Sequence, residues 1–216
     1  MKLETDRLLL RSFRPQDVEQ MVSLVEDPGV TRLLGGPRDA EEVRTILQNE
    51  LVEQPGRLGQ WPVVLKVTGE FVGGCGLISK EIEGVREVEL VYALAASAWG
   101  KGYATEIGSA LLGFATEELR LKRVVALIDP ENLPSKRVAE KLGMQWESMV
   151  TSPDGNERER RAQQAHRPDA TAGFGSNLGP WPAAYAPGVG HALASRRARR
   201  GRIGWTVERL RALGRT

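Results

Sequence analysis

The 216-residue chain has one cysteine, Cys75, and two histidines. A single cysteine excludes an internal disulfide and suits a reducing compartment. Two histidines, both far from Cys75 in sequence, form no visible metal-ligand cluster. No apolar run approaches the ~20 residues of a membrane span. The opening Met1-Lys2-Leu3-Glu4-Thr5-Asp6 lacks the apolar core of a signal peptide. These absences predict a cytoplasmic protein without metal and without a membrane partner. Apolar residues make up 41 % of the chain, enough for one domain with a sizeable core, with or without an appendage.

The net charge of +2 hides an asymmetry. Residues 157–216 hold twelve arginines and no lysine against four acidic residues, a net of +8, which leaves −6 for residues 1–156. All seven lysines lie in the first part. A shift in charge, lysine usage and Gly/Pro content at one point marks a boundary. Residues 1–156 are therefore expected to form the folded domain. Residues 157–216 are expected to form an irregular, basic, poorly ordered tail. Arg158-Glu159-Arg160-Arg161-Ala162-Gln163-Gln164-Ala165 shows no apolar alternation, so no strand is expected there. Such an Arg/Ala/Gly/Pro bias fits a frame-shifted end or a genuine basic appendage. As an appendage its arginines are the one feature pointing to nucleic acid, and without interleaved aromatics or lysines that signal is weak.

Upstream, hydrophobic spacing places the elements. Leu3 to Phe13 alternates as a first strand. Val18, Met21, Val22 and Val25 are spaced for a helix ended by Asp27-Pro28-Gly29. Asp39 and Glu42 resemble a capping box ahead of Val43, Ile46, Leu47 and Leu51, one face of a second helix. Trp61–Val67 and Phe71–Ile78 flank Thr68-Gly69-Glu70 as a hairpin. Glu87–Leu94 is a fourth strand, Tyr103–Leu119 a helix and Arg123–Ile128 a fifth strand. Pro134–Leu142 is a helix with Gly143 just past its end, and Trp146–Thr151 is a last strand. Strands alternating with helices, plus an antiparallel hairpin, predict a mixed sheet in an α/β (α+β) domain. Cys75, in the second arm of the hairpin, reads as a small packed residue and not as a nucleophile.

Between the fourth strand and its following helix lies Trp99-Gly100-Lys101-Gly102-Tyr103-Ala104-Thr105-Glu106. A glycine-bearing loop entering a helix N-terminus offers unpaired N–H groups and the positive end of the helix dipole to an anion. It is neither a P-loop nor a dinucleotide fingerprint, because Lys101 sits between the glycines and Thr105 stands where a third glycine would be needed. The segment resembles the acyl-CoA pyrophosphate loop of the Gcn5-related N-acetyltransferases (GNAT), [RQ]-x-x-G-x-[GA], with Trp99 in the first place. WGKGYATE is similar to one branch, the ribosomal-protein N-terminal acetyltransferases of the RimJ/RimL type. Asn132-Leu133-Pro134-Ser135 through Glu140-Lys141-Leu142-Gly143-Met144 resembles that branch's N-x-x-S-x-x-x-x-E-K-x-G-[FM]. Thr5-Asp6-Arg7-Leu8-Leu9-Leu10-Arg11 resembles its opening T-x-R-L-x-L-R.

The resemblance implies a GNAT-like mixed central sheet flanked by helices and splayed between its fourth and fifth strands, where acetyl-CoA enters as cosubstrate. It implies cofactor contacts from Trp99, Gly100, Lys101, Gly102, Tyr103 and Ala104 to the pyrophosphate, from the Tyr92, Ala93 and Leu94 strand backbone to the pantetheine arm, and from Asn132 and Ser135. Trp99 replaces a frequent Arg or Gln, and Lys101 is the residue placed to supply the missing charge. The branch's glutamate falls on Glu89, the candidate base; its glycine is replaced by Val91. Glu89 equally reads as a solvent-facing strand residue. The Tyr that many members use to protonate the leaving thiolate is absent from the helix after Asn132. Ser135 is the remaining hydroxyl there, as a donor to the sulfur or as a helix cap.

These residues imply direct acetyl transfer to a primary amine. A free α-amine, with a pKa near 7.7–8, is about one-tenth neutral at pH 7, whereas a lysine near 10.4 costs about 4–5 kcal/mol to deprotonate. A single carboxylate acting through water suits the former, so a protein N-terminal α-amine is the expected acceptor. A small-molecule amine, or a non-catalytic CoA-binding domain, are the alternatives. Either a monomer or a homodimer is compatible with the sequence.

Overall fold

The computed structural model describes residues 2–53, 57–152 and 155–164. In chain order the elements are β1 (Lys2–Glu4), β2 (Leu8–Arg11), α1 (Pro15–Glu26), α2 (Pro28–Thr31), α3 (Ala40–Glu53), β3 (Gly59–Leu65), β4 (Phe71–Ile82), β5 (Val85–Leu94), α4 (Tyr103–Glu117), β6 (Arg123–Ile128), α5 (Leu133–Lys141), β7 (Gln145–Thr151) and β8 (Glu157–Gln164). The strands form one sheet in the order β1-β2-β3-β4-β5-β6-β8-β7. Neighbours are antiparallel except β5 and β6, which run parallel and pair only at Glu89↔Val125. From Leu90 to Leu94, β5 keeps β4 on one edge and, among the described residues, has no strand on the other. This is the expected splay, shifted by one in strand number because the first predicted strand is really two.

That first difference has a local cause. The Thr5 hydroxyl accepts the Leu8 N–H (3.0 Å), and the Thr5 N–H donates to the Leu8 carbonyl (3.0 Å), turning the chain between β1 and β2. Asp39 caps α3 as expected, accepting the Glu42 N–H (2.9 Å). Asp27-Pro28-Gly29 ends α1 but also starts α2, with the Asp27 carboxylate accepting the Gly29 N–H (2.8 Å). The β4–β5 arms run longer than predicted and join through Glu83 and Gly84, both at positive φ (50° and 78°), the geometry of a tight two-residue hairpin turn.

The sheet separates two apolar layers. On one side Leu90, Leu94, Val124, Ala126 and Ile128 pack with Ile107, Leu111 and Ala115 of α4 and Ala139 of α5. On the other, Ala93 joins Val18, Met21 and Val22 of α1 and Val43 and Leu47 of α3. Alternation along β5 therefore sends Leu90, Tyr92 and Leu94 toward α4 and α5, and Glu89, Val91 and Ala93 toward α1–α3. Cys75 is buried, and burial pushes its thiol well above the ordinary range. It is a packed residue, as expected.

The main correction concerns Glu157–Gln164. The sequence predicts irregular tail from residue 157, yet these residues form β8, inserted between β6 and β7 from Arg123↔Gln164 to Ile128↔Glu159 and from Gln145↔Ala162 to Thr151↔Glu157. Apart from Ala162, the strand is seated by charge pairing. Arg158 meets Asp129 at 3.0 Å, Arg160 meets Glu147 at 3.4 Å, and Arg161 meets Glu159 at 3.2 Å and Glu140 at 3.3 Å. Burial pushes the Glu159 carboxyl up, but hydrogen bonds from Lys136 and Arg161 outweigh it and hold the group below the usual carboxylate range. Hydrogen bonding to Arg123 lowers Glu147 likewise. The folded domain therefore runs past the compositional boundary, at least to Gln164. The rest of the predicted tail lies outside the described residues.

Candidate active site

The anion loop follows β5 directly. Gly100 and Gly102 both take positive φ (72° and 80°), and Gly102 is the N-cap of α4. No side chain caps this helix, so its first-turn N–H groups remain open to an anion. A Cβ on Gly100 would meet nothing within 4 Å, so the backbone there is open to a ligand. A phosphate-bearing ligand fits this geometry. The Trp99 indole does not reach for it: its Nε1–H donates to the Leu94 carbonyl (2.7 Å), locking the loop to the end of β5. Lys101 is exposed, and its carbonyl accepts the Arg7 guanidinium (3.0 Å).

Arg7 belongs to the opening Thr5–Arg11 motif, and its role emerges only from its contacts. Its backbone N–H and Nε donate to Glu106 in the first turn of α4 (2.9 and 2.6 Å), and its guanidinium lies 4.7 Å from the Tyr103 ring centre. The Thr5 hydroxyl also donates to Glu106 (2.5 Å). Burial pushes the Glu106 carboxyl up, but the bonds from Thr5 and Arg7 prevail and leave it below the usual range. The β1–β2 turn thus braces the loop and holds a cation beside it.

Gly102→Asp tests the loop. The new side chain would sit at φ 80° with its Cβ 3.5 Å from Arg7 Nη2. Its carboxylate would draw on the same helix N-terminus that a phosphate needs. Acetyl-CoA affinity, measured by calorimetry, is expected to fall at least about tenfold, which is ~1.4 kcal/mol. Unchanged affinity in a folded variant would remove the loop from the site.

Glu89 lies at the point where β5 and β6 part. It is only 5 % exposed, so it is not the solvent-facing residue the sequence left open. Its carboxylate accepts Lys80 Nζ at 2.9 Å and approaches the Leu127 N–H at 3.4 Å. Lys80, from β4, is a partner the sequence did not suggest; its signal lies in the hairpin register, which sets Lys80 opposite Glu87 and two register positions, on the same face, from Glu89. Glu87 is engaged elsewhere, held by Arg123 at 3.0 Å. Val91 follows Glu89 on the same face of β5 and is half-buried.

On the opposite face, Asn132 caps α5, its side-chain oxygen accepting the Ser135 N–H (3.1 Å). The cap role left open for Ser135 belongs to Asn132. Burial pushes the Tyr92 phenol up to about 12, and the nearby Ser135 side chain pulls it the other way. The site residues expected from the sequence thus gather around one gap: Tyr92–Leu94 along the open edge of β5, Trp99–Ala104 at its end, Asn132 and Ser135 across it, and Glu89 at its vertex. The described residues contain no group of His, Cys, Asp and Glu able to hold a metal. Among them no helix is long and apolar enough to cross a membrane.

This geometry agrees with comparisons to known proteins. Residues 7–145 match the Acetyltransferase (GNAT) domain. The Bacillus subtilis protein YkkB is 36 % identical over 151 residues, 69 % of this chain and 88 % of YkkB. The crystal structure of a GNAT-family acetyltransferase from Bacillus anthracis superposes with a TM-score of 0.65 at 27 % identity, covering 76 % of this chain and 99 % of that one. Spermidine N-acetyltransferase from Vibrio cholerae, solved with CoA and spermine, shares the fold with a TM-score of 0.60 at 17 % identity over 73 % of this chain and 95 % of its own. The chain belongs to the GNAT acetyltransferase family. It is an N-acetyltransferase of GNAT type.

Proposed function

We propose that the chain transfers acetyl from acetyl-CoA to a primary amine by direct attack, and that the amine is a protein N-terminal α-amine of the kind served by the RimJ/RimL branch. The observation that carries this reading is the vertex of the splay, where Glu89 meets an open strand edge that ends at an uncapped helix N-terminus. The pyrophosphate would rest on Gly100–Ala104 with Arg7 and Lys101 as nearby cations. The pantetheine would run along the free edge of Tyr92, Ala93 and Leu94, and Asn132 and Ser135 would line the far wall.

Glu89, on the α1–α3 face, takes the amine proton through a water as the nitrogen attacks. The C–N bond forms, the C–S bond breaks, and the sulfur keeps the electron pair. A strand N–H on the open edge polarises the acetyl oxygen. The acceptor enters from the same face as Glu89, where a cleft of about 460 Å³ opens past β6 between Arg32, Asp129, Glu131 and Arg158. Its charges are largely paired already: Arg158 with Asp129, and Arg32 with Glu131 at 3.9 Å. Arg123 holds Glu87, so Glu89, itself paired with Lys80, is the single carboxylate at the vertex, and one such base suits an amine already partly neutral near pH 7. Val91 narrows the acceptor side where the branch has glycine.

The test is an acetyl-transfer screen with acetyl-CoA against peptides with free N-termini, the same peptides with blocked N-termini and a lysine, polyamines and aminoglycosides. Turnover confined to free N-termini is expected. Preference for polyamines or aminoglycosides would replace the acceptor, and absence of acetyl-CoA binding would remove catalysis.

A further inference from the structure

An acid stands in the first turn of the helix that is to receive a pyrophosphate. Glu106 follows the N-cap Gly102 by four residues, and its side chain is largely buried. Burial pushes its carboxyl up, but the bonds from Thr5 and Arg7 prevail, so the group is ionised at neutral pH. Uncompensated, that charge would draw on the positive end of the α4 dipole and repel a phosphate. Two oxygens of Glu106 are instead covered from the β1–β2 turn. The Thr5 hydroxyl (2.5 Å) and the Arg7 backbone N–H (2.9 Å) donate to one, and Arg7 Nε and Nη2 hold the other, each at 2.6 Å. Arg7 Nη1 donates to the Lys101 carbonyl (3.0 Å). Each of the three guanidinium nitrogens therefore has an acceptor within the protein, and the cation lies against the loop, anchored to the acid it faces. The Lys101–Gly102 peptide is trans. With its carbonyl turned toward Arg7, its N–H points the opposite way, free of the cation.

We infer that Arg7 is a positioning residue for acetyl-CoA that acts through Glu106: it neutralises the acid and so keeps the N-terminus of α4 available to the pyrophosphate. This rests on the acetyl-CoA reading above. Like charges within one helical turn repel, and a partly buried carboxylate is screened less by salt than an exposed one. The β1–β2 turn thereby belongs to the cofactor site although it touches no reacting atom. The distinction from a plain phosphate ligand is physical. A guanidinium that bound phosphate directly would contribute the same whether or not position 106 is charged. One that acts through Glu106 loses its value when that charge is removed.

The test is a double-mutant cycle on acetyl-CoA affinity, measured by calorimetry on the full chain. Arg7→Met removes the charge and keeps an apolar stem over the Tyr103 ring. Alone, it is expected to weaken acetyl-CoA about tenfold, within the range for charged neighbours in one network. In the Glu106→Gln background the same substitution is expected to cost no more than about threefold. A second readout uses S-acetyl-pantetheine, a thioester donor without the pyrophosphate. Arg7→Met is expected to lower kcat/KM for acetyl-CoA about tenfold more than for S-acetyl-pantetheine. Melting curves confirm that each variant is folded. The same tenfold loss in both backgrounds would make Arg7 a direct phosphate ligand and overturn the inference. Unchanged affinity in Arg7→Met, or an equal loss with both donors, would overturn it too. These outcomes leave the acetyl-CoA reading intact. That reading fails separately, if the parent neither binds acetyl-CoA nor transfers acetyl.

Discussion

A chain ended at Asn156 is expected not to fold. Composition alone would place such a cut harmlessly outside the domain, but it removes β8 from the interior of the sheet. Among the described residues β7 pairs with β8 and with no other strand, so it would lose its place along with its partner. β6 would lose its antiparallel neighbour and keep only the single-point pairing with β5 at Glu89↔Val125. Val125, Ile82 and Val150 would lose their contact with Ala162. Asp129, Glu140 and Glu147 would lose arginine partners. Backbone hydrogen bonds contribute about 0.5–1.5 kcal/mol each, and a domain holds only about 5–15 kcal/mol in total. Two lost ladders suffice to exhaust that margin. Circular dichroism and thermal melting of chains ending at Asn156 and at Gln164 check the point. The shorter chain should show no cooperative transition, and the longer one should melt cooperatively and bind acetyl-CoA. A cooperative transition near the parent Tm in the shorter chain would show that β8 is dispensable.

Glu89→Gln is expected to lower kcat by about 10²-fold while leaving acetyl-CoA affinity in place. Glutamine matches the volume and can still accept the Leu127 N–H, but it cannot take a proton. The complication is Lys80, whose ammonium at 2.9 Å would lose its counter-charge in a site where both side chains are largely buried. Breaking a buried pair costs about 3–5 kcal/mol, so part of any activity loss could come from instability. The double variant Lys80→Met, Glu89→Gln separates the two effects by removing the stranded charge. Stability should recover in the double variant and turnover should not. Recovery of turnover, or a single-variant kcat within about threefold of the parent, would make Glu89 a structural pin at the vertex instead of the base.

How far the sequence reached differs between the two ends of the sheet. Local signals served wherever a pattern is self-contained. Asp39 three residues before Glu42 does cap α3, the spacing of Ile107, Leu111 and Ala115 does bury one face of α4, and the glycines around Lys101 do form a turn into an open helix N-terminus. β8 failed the same test because its burial is satisfied by charge. Arg158, Arg160 and Arg161 find their partners at Asp129, Glu147, Glu140 and Glu159. All but Glu159 lie on other elements, so no window along the chain could reveal that the arginines are seated. Arg7 was visible within a motif, but its service to Glu106 crosses 99 positions of sequence and needs the fold to be seen.

By itself, then, the sequence determined the alternation of strands and helices, the anion loop at Gly100–Ala104 and the family whose motifs it carries, because each depends on residues close together in the chain. Only the tertiary structure decided that Glu157–Gln164 is interior sheet and that Glu89 is buried against Lys80. Each of those depends on a register or a crossing between distant segments. Hydrogen bonds and ion pairs act over a few ångströms in space, and they leave no periodic trace in the order of residues.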